Sequence, residues 1–186
     1  QFDNNQRKEV VFKFMKNKDQ FLREIKSRKV NDLDSKFVVD ITRTFDGDED
    51  PSFLSALHLN HLELYKYAIL MPCADRNLDN IFRSERPDIN AVRSLAQQAA
   101  LALSHIHKQG IIHGDLKMQN LVRFNNRLFL VDFDASASIS STEDEVQFYA
   151  GSKFSSGVLP PEMIAKLPTK DKVEMFQSYF SPVLSS

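Results

Sequence analysis

The chain has 186 residues, with 24 Lys and Arg against 25 Asp and Glu, a formal net charge of -1. At 42% hydrophobic and 26% charged it has the balance of an ordinary globular protein rather than a disordered or fibrous one. Near-neutral charge offers no electrostatic footprint for nucleic acid or an anionic membrane, and no apolar run reaches the length of a bilayer span, so neither is expected as a partner. The single cysteine, Cys73, excludes an internal disulfide and fits a cytoplasmic or nuclear setting.

Val10-Val11-Phe12-Lys13-Phe14-Met15 is rich in β-branched and aromatic residues, which predicts a strand. Lys16-Asn17-Lys18 then turns the chain, and Asp19 is the expected N-cap of a helix running to about Lys29. Residues 37–45 read as a second strand. Asp46-Gly47-Asp48-Glu49-Asp50-Pro51 reads as a solvated acidic turn without the spacing of a calcium loop. Residues 65–71 read as a third strand ended by Pro72, followed by a short helix from about Asn77 to Arg83. Ile89, Val92, Leu95, Ala96, Ala99, Leu103 and Ile106 recur at helical spacing and predict a helix with one buried stripe, closed by Gly110 at C′. Residues 121–124 and 128–131 flank Asn125-Asn126, the signature of a tight hairpin.

Two stretches carry chemistry. His113-Gly114-Asp115-Leu116-Lys117-Met118-Gln119-Asn120 is followed by Leu130-Val131-Asp132-Phe133-Asp134. Their two acids and amide have the spacing that phosphoryl transfer needs. One acid would take the proton of an attacking hydroxyl, while the other acid and the amide oxygen would hold magnesium against nucleotide phosphates. Both stretches fall at loop and strand ends, where a rigid scaffold usually displays reactive groups.

Taken in order, these motifs resemble a eukaryotic-type protein kinase catalytic domain of the serine/threonine kind, over roughly residues 10–164. The resemblance implies an α+β, two-lobe fold. A partial small antiparallel β lobe with one helix would occupy residues 1–71, a hinge 72–73, and a partial, mainly helical large lobe 74–186, with an activation segment at 132–162. It implies ATP and Mg2+ as cofactors and a protein as phosphate acceptor. By the same resemblance Asp115 is the catalytic aspartate, Lys117 steadies the transferred phosphate, and Asn120 and Asp132 are the metal ligands. Lys13 would contact the nucleotide phosphates with Glu24 as its ion-pair partner, and Val11 and Val122 would sandwich the adenine. Leu70 would be the gatekeeper, and Met71 and Cys73 would belong to the hinge. Pro161-Glu162 resembles the end of the activation segment. Ser155 falls where the family places a bridging hydroxyl, and Ser136, Ser138, Ser140, Ser141, Thr142, Ser152 and Ser156 are candidate phosphorylation sites.

Several positions depart from the family pattern. No glycine-rich loop precedes Lys13, Gly114 stands where the family has Arg, and Asp134 stands where it has Gly. Arg28, one turn after Glu24, replaces an apolar residue. The chain is expected to be a fragment cut at both ends. Gly114 and the stretch Val131-Asp132-Phe133-Asp134 also resemble aminoglycoside- or choline-type small-molecule kinases, an alternative opposed by Lys117 and by the segment ending at Pro161-Glu162. A pseudokinase acting as a scaffold is the third reading. The presence of every key polar residue speaks against it, and the missing glycine-rich loop speaks for it.

Overall fold

The first apolar run forms β1 (Val10–Met15), which pairs antiparallel with β3 (Tyr67–Pro72); β2 (Arg43–Asp46) pairs with the other edge of β3. The architecture is that of a computed structural model, which describes residues 9–29 and 33–138. The register sets Val11 opposite Met71 and Lys13 opposite Ile69. Helix α1 (Lys18–Lys29) follows β1. Its cap is Asn17 rather than Asp19: the Asn17 side-chain oxygen accepts the Gln20 backbone N–H at 3.0 Å. Asp19 falls instead in the first turn, where a carboxylate faces the positive end of the helix dipole.

The strand expected over residues 37–45 is split between two partners. Val38 makes a parallel bridge to Leu130, with the Val39 N–H donating to the Leu130 carbonyl at 3.1 Å, and only Arg43–Asp46 joins the first sheet. The acidic turn is followed by a helix that the sequence reading did not anticipate, α2 (Pro51–Leu59). Asp50 caps it by accepting the Ser52 and Phe53 backbone N–H groups at 3.0 Å each, and Pro51 occupies the first turn, where its missing N–H costs nothing. The first sheet is thus accompanied by two helices, not one. Asp48 in the turn accepts the Tyr67 hydroxyl at 2.7 Å and pairs with Lys18 at 3.3 Å and Lys66 at 3.5 Å.

The remainder is built on α3 (Leu78–Glu85), α4 (Ile89–Lys108) and two small sheets. One sheet orders β4 (Arg76–Asn77), β6 (Leu121–Phe124) and β7 (Arg127–Leu130); the other pairs β5 (Ile111–Ile112) with β8 (Ala137–Ser138). Asn125 and Asn126 turn the β6–β7 hairpin with φ of 46° and 65°, left-handed values that asparagine tolerates well. Gly110 ends α4 at φ 71°, as its spacing predicts. The stripe on α4 is narrower than the periodicity suggests. Ala102 and Ile106 are fully buried, Leu95, Ala99 and Leu103 pack against the same core, but Ala96 is exposed and Ile89, at the first turn, is 62% exposed.

Two apolar clusters result. One gathers Met15, Phe21, Val39, Tyr67, Ile69 and Met71 around the first sheet; the other gathers Leu78, Ile81, Ala102, Ile106, Leu130 and Phe133 under α4. Val38 belongs to the second and its neighbour Val39 to the first, because successive side chains of an extended segment face opposite ways. That crossing, with β6 and β7 beside it, is where the reactive side chains converge.

Candidate active site

Lys13 leaves β1 toward α1 and toward the loop after β7. Its ammonium lies 2.9 Å from Glu24 Oε2, 2.6 Å from Asp132 Oδ1 and 3.7 Å from Asp134 Oδ2. Burial opposes its charge, but the three carboxylates of Glu24, Asp132 and Asp134 outweigh burial and hold its pKa above the ordinary lysine value. Glu24 is wholly buried, with Lys13 on one carboxylate oxygen and Arg28 on the other.

The Asp115 cluster is built by a tight loop and the 3₁₀ turn Met118–Asn120. Asp115 is 5% exposed. Lys117 Nζ donates to its Oδ2 at 2.8 Å, and the Asn120 side-chain nitrogen donates to the Asp115 carbonyl at 2.9 Å and to Oδ2 at 3.2 Å. The amide nitrogen of Asn120 is therefore spent on Asp115, which leaves the amide oxygen as the group of that side chain suited to a hard cation.

Two bonds stitch the Asp115 loop to the Asp132 loop. The Val131 backbone N–H donates to the Asn120 carbonyl at 3.1 Å, and His113 Nε2 lies 3.0 Å from the Val131 carbonyl. His113 Nδ1 in turn faces the Asp115 backbone N–H at 3.4 Å. A ring that donates through Nε2 and accepts through Nδ1 is neutral, and burial pushes the His113 pKa below its ordinary value, in agreement with that tautomer. Asp132 itself sits at φ 68°, a left-handed conformation held in place by these neighbours.

Gly114 is dictated by its backbone surroundings. Its φ is 78°, and a Cβ there would lie 2.1 Å from the Ala135 carbonyl oxygen. The backbone of the Asp115 loop rests directly against the segment after Asp132, and no side chain fits between them.

A cavity of about 370 Å³ opens beside Lys13. Val11, Val39, Met71, Val122 and Val131 form its apolar wall, and Lys13 and Asp132 its polar end. Of the residues expected to bind nucleotide, Lys13, Val11, Met71, Val122 and Asp132 line it. Glu24 stands behind Lys13. Leu70 does not line it: one residue before Met71 on β3, it faces the other side of the sheet. Cys73 does not line it either; its backbone N–H, the group a hinge would offer to a base, donates to the Glu9 carbonyl at 3.0 Å, and Ala74 takes the lining position. Val39, Phe124 and Val131 line the cavity without having been anticipated, although alternation along their apolar runs could have marked them. Ser155, Pro161-Glu162 and the activation segment from residue 139 onward lie outside the described residues.

The donor set suits a magnesium nucleotide. Among the described residues no group of three or more His, Cys, Asp or Glu side chains is poised to cage a metal by itself. A carboxylate and an amide oxygen, with the remaining positions left to water and phosphate, is the arrangement magnesium favours.

The protein kinase domain family model matches residues 2–178, and the chain belongs to that family. Among curated relatives, hormonally up-regulated neu tumor-associated kinase homolog B of Xenopus laevis is 29% identical over 130 residues, 68% of this chain and 20% of that protein. The human hormonally up-regulated neu tumor-associated kinase is 27% identical over the same length, 18% of that protein. Serine/threonine-protein kinase RHS3 of Arabidopsis thaliana is 35% identical over 109 residues, 55% of this chain and 21% of that protein. The chain thus spans about a fifth of the length of the curated relatives it matches.

Proposed function

We propose that this chain carries the phosphoryl-transfer centre of an ATP-dependent serine/threonine protein kinase. The observation that carries the reading is the meeting of Lys13 with Glu24 and Asp132 at 2.9 Å and 2.6 Å, at the polar end of an apolar cavity and beside the Asp115 cluster. Val11, Val39, Met71, Val122 and Val131 would enclose the base of the nucleotide, and Lys13, held by Glu24, would grip its phosphates. Asp132 and Asn120 would hold Mg2+, which when bound neutralises the charge that develops on the phosphate oxygens.

Asp115 would accept the proton of the acceptor hydroxyl as the new P–O bond forms and the bond to the leaving diphosphate breaks. Lys117, 2.8 Å from the Asp115 carboxylate, compensates its charge and would stabilise the migrating phosphoryl group. Asn120 fixes Asp115 from below through the two bonds given above. Catalysis of this kind is almost wholly positioning and electrostatics, and these contacts would supply both.

Lys117 and the serine/threonine kinase relatives support a Ser or Thr hydroxyl of a protein as acceptor, against an amino sugar or choline. The test is transfer of labelled phosphate from ATP, with Mg2+, to a mixed Ser/Thr peptide library, to a Tyr library and to amino sugars and choline in parallel. Label confined to Ser and Thr is expected; label on the small molecules alone would overturn the protein-kinase assignment.

A further inference from the structure

Arg28 is only 8% exposed, an unusual place for a guanidinium. Its NH2 donates to Glu24 Oε1, its NH1 donates to the Val39 carbonyl, and its Cζ lies over the Phe133 ring, 5.1 Å from the centroid. Phe133 is fully buried, with the His113 ring 4.9 Å from it on a second contact. His113 in turn reaches the backbone of Val131 and of Asp115. The contacts therefore run without a break from Lys13 through Glu24, Arg28, Phe133 and His113 to Asp115.

A residue selected only to fill this space would be apolar. A buried charge is costly, and Arg28 Nε is buried with no hydrogen-bond partner among the described residues. The arginine does what an apolar residue cannot: it occupies the second oxygen of Glu24. With both oxygens held, Glu24 can present only Oε2 to Lys13. Two further bonds from the same helix reach the same loop, Arg23 Nε to the Asp134 carbonyl at 2.9 Å and Ser27 Oγ to Ser136 Oγ at 2.6 Å.

We infer that Arg28 is a positioning residue for phosphoryl transfer, acting through Glu24 on Lys13 and tying α1 by charge to the loop that carries Asp132. The inference rests on the kinase reading above. It makes the seat of α1 a property of buried side chains on the helix itself.

A double-mutant cycle on the full chain tests it, with kcat and KM for ATP measured on the wild type, Arg28→Leu, Glu24→Gln and the double variant. Arg28→Leu should lower kcat/KM for ATP about tenfold, mainly through KM. In the Glu24→Gln background the same change should cost less than about twofold, because the group it acts through is gone. Arg28→Lys, which can still reach Glu24 but cannot also bond Val39 and place a guanidinium over Phe133, should recover part of the loss. Should Arg28→Leu fail to fold, Arg28→Lys is compared in both backgrounds by the same criterion. An equal loss in both backgrounds, or none in either, would overturn the positioning role while leaving the kinase reading intact. A folded wild type that transfers no phosphate would overturn the kinase reading itself, and the inference with it.

Discussion

Gly114→Ala should destabilise the chain by about 3 kcal/mol. Two costs add. A left-handed backbone conformation costs a residue bearing a Cβ about 1–2 kcal/mol relative to glycine. The new methyl would lie 2.1 Å from the Ala135 carbonyl oxygen and 2.9 Å from its carbon, so the two backbones must separate by about an ångström. Ala135 cannot yield freely: it sits between fully buried Phe133 and Ser136, whose N–H and hydroxyl both bond the Phe133 carbonyl. Overpacking of that kind costs about 1–3 kcal/mol. For a chain of this size the sum corresponds to a fall in Tm of about 6–12 °C. Gly110→Ala is the control. Its φ of 71° is nearly the same, but nothing lies within 4 Å of the position of its Cβ, so only the backbone cost applies. Thermal melting of the two variants side by side isolates the collision. If Gly114→Ala melts within about 2 °C of Gly110→Ala, the close approach to Ala135 does not exist and the structural account of Gly114 fails. The same geometry predicts that Gly114→Arg, which would restore the family's residue, is at least as damaging.

Three further outcomes are expected. His113 is held neutral, its pKa pushed down by burial. On acidification the unfolded chain takes up a proton that the folded chain refuses, so stability is full above about pH 6.5 and is lost as pH falls toward the depressed folded pKa. The slope of Tm against pH between 7.5 and 5 should therefore be shallower in His113→Phe, and an unchanged slope would remove His113 from the acid response. Leu130→Ala empties a fully buried site at the junction of the two apolar clusters and should cost about 2–5 kcal/mol by urea titration. Asp88 accepts the Ala91 N–H at 2.8 Å as the N-cap of α4, and Asp88→Ala should cost about 1 kcal/mol in the same assay; a neutral result would mean the cap is not formed.

How far the sequence could be read depended on whether the deciding forces were local. β1, β3 and the Asn125-Asn126 hairpin follow from β-branched runs and turn residues acting over a few positions, and they stand where expected. Helix α2 was readable in principle, since Asp50-Pro51 is a helix start, but the run of carboxylates before it drew the reading toward a turn. The split of residues 37–45 was not readable, because Val38 and Thr42 choose different partners, Leu130 and Leu70, far away in the chain. At the site, spacing singled out Asp115, Asn120 and Asp132 and the kinase resemblance added Lys117; these side chains lie on two loops joined through Val131. Leu70 and Cys73 depended on which face of β3 meets the cavity and on where Glu9 spends its carbonyl, both tertiary matters. Gly114 and Asp134 looked like lost family features; in the fold one is required by a backbone contact and the other joins the carboxylates around Lys13. Arg28 departs from an apolar family position, and its buried partners Glu24, Val39 and Phe133 explain it.

The central claim is that Asp115 and Asp132 are the two acids of a phosphoryl-transfer centre. Steady-state transfer of labelled phosphate from ATP to a Ser/Thr substrate, by the wild type and by Asp115→Asn and Asp132→Asn, tests it most directly. Both substitutions keep size and burial while removing charge, so each should fold with a Tm near that of the wild type and lower kcat by about a hundredfold or more. Folded variants that keep the wild-type kcat would contradict the account.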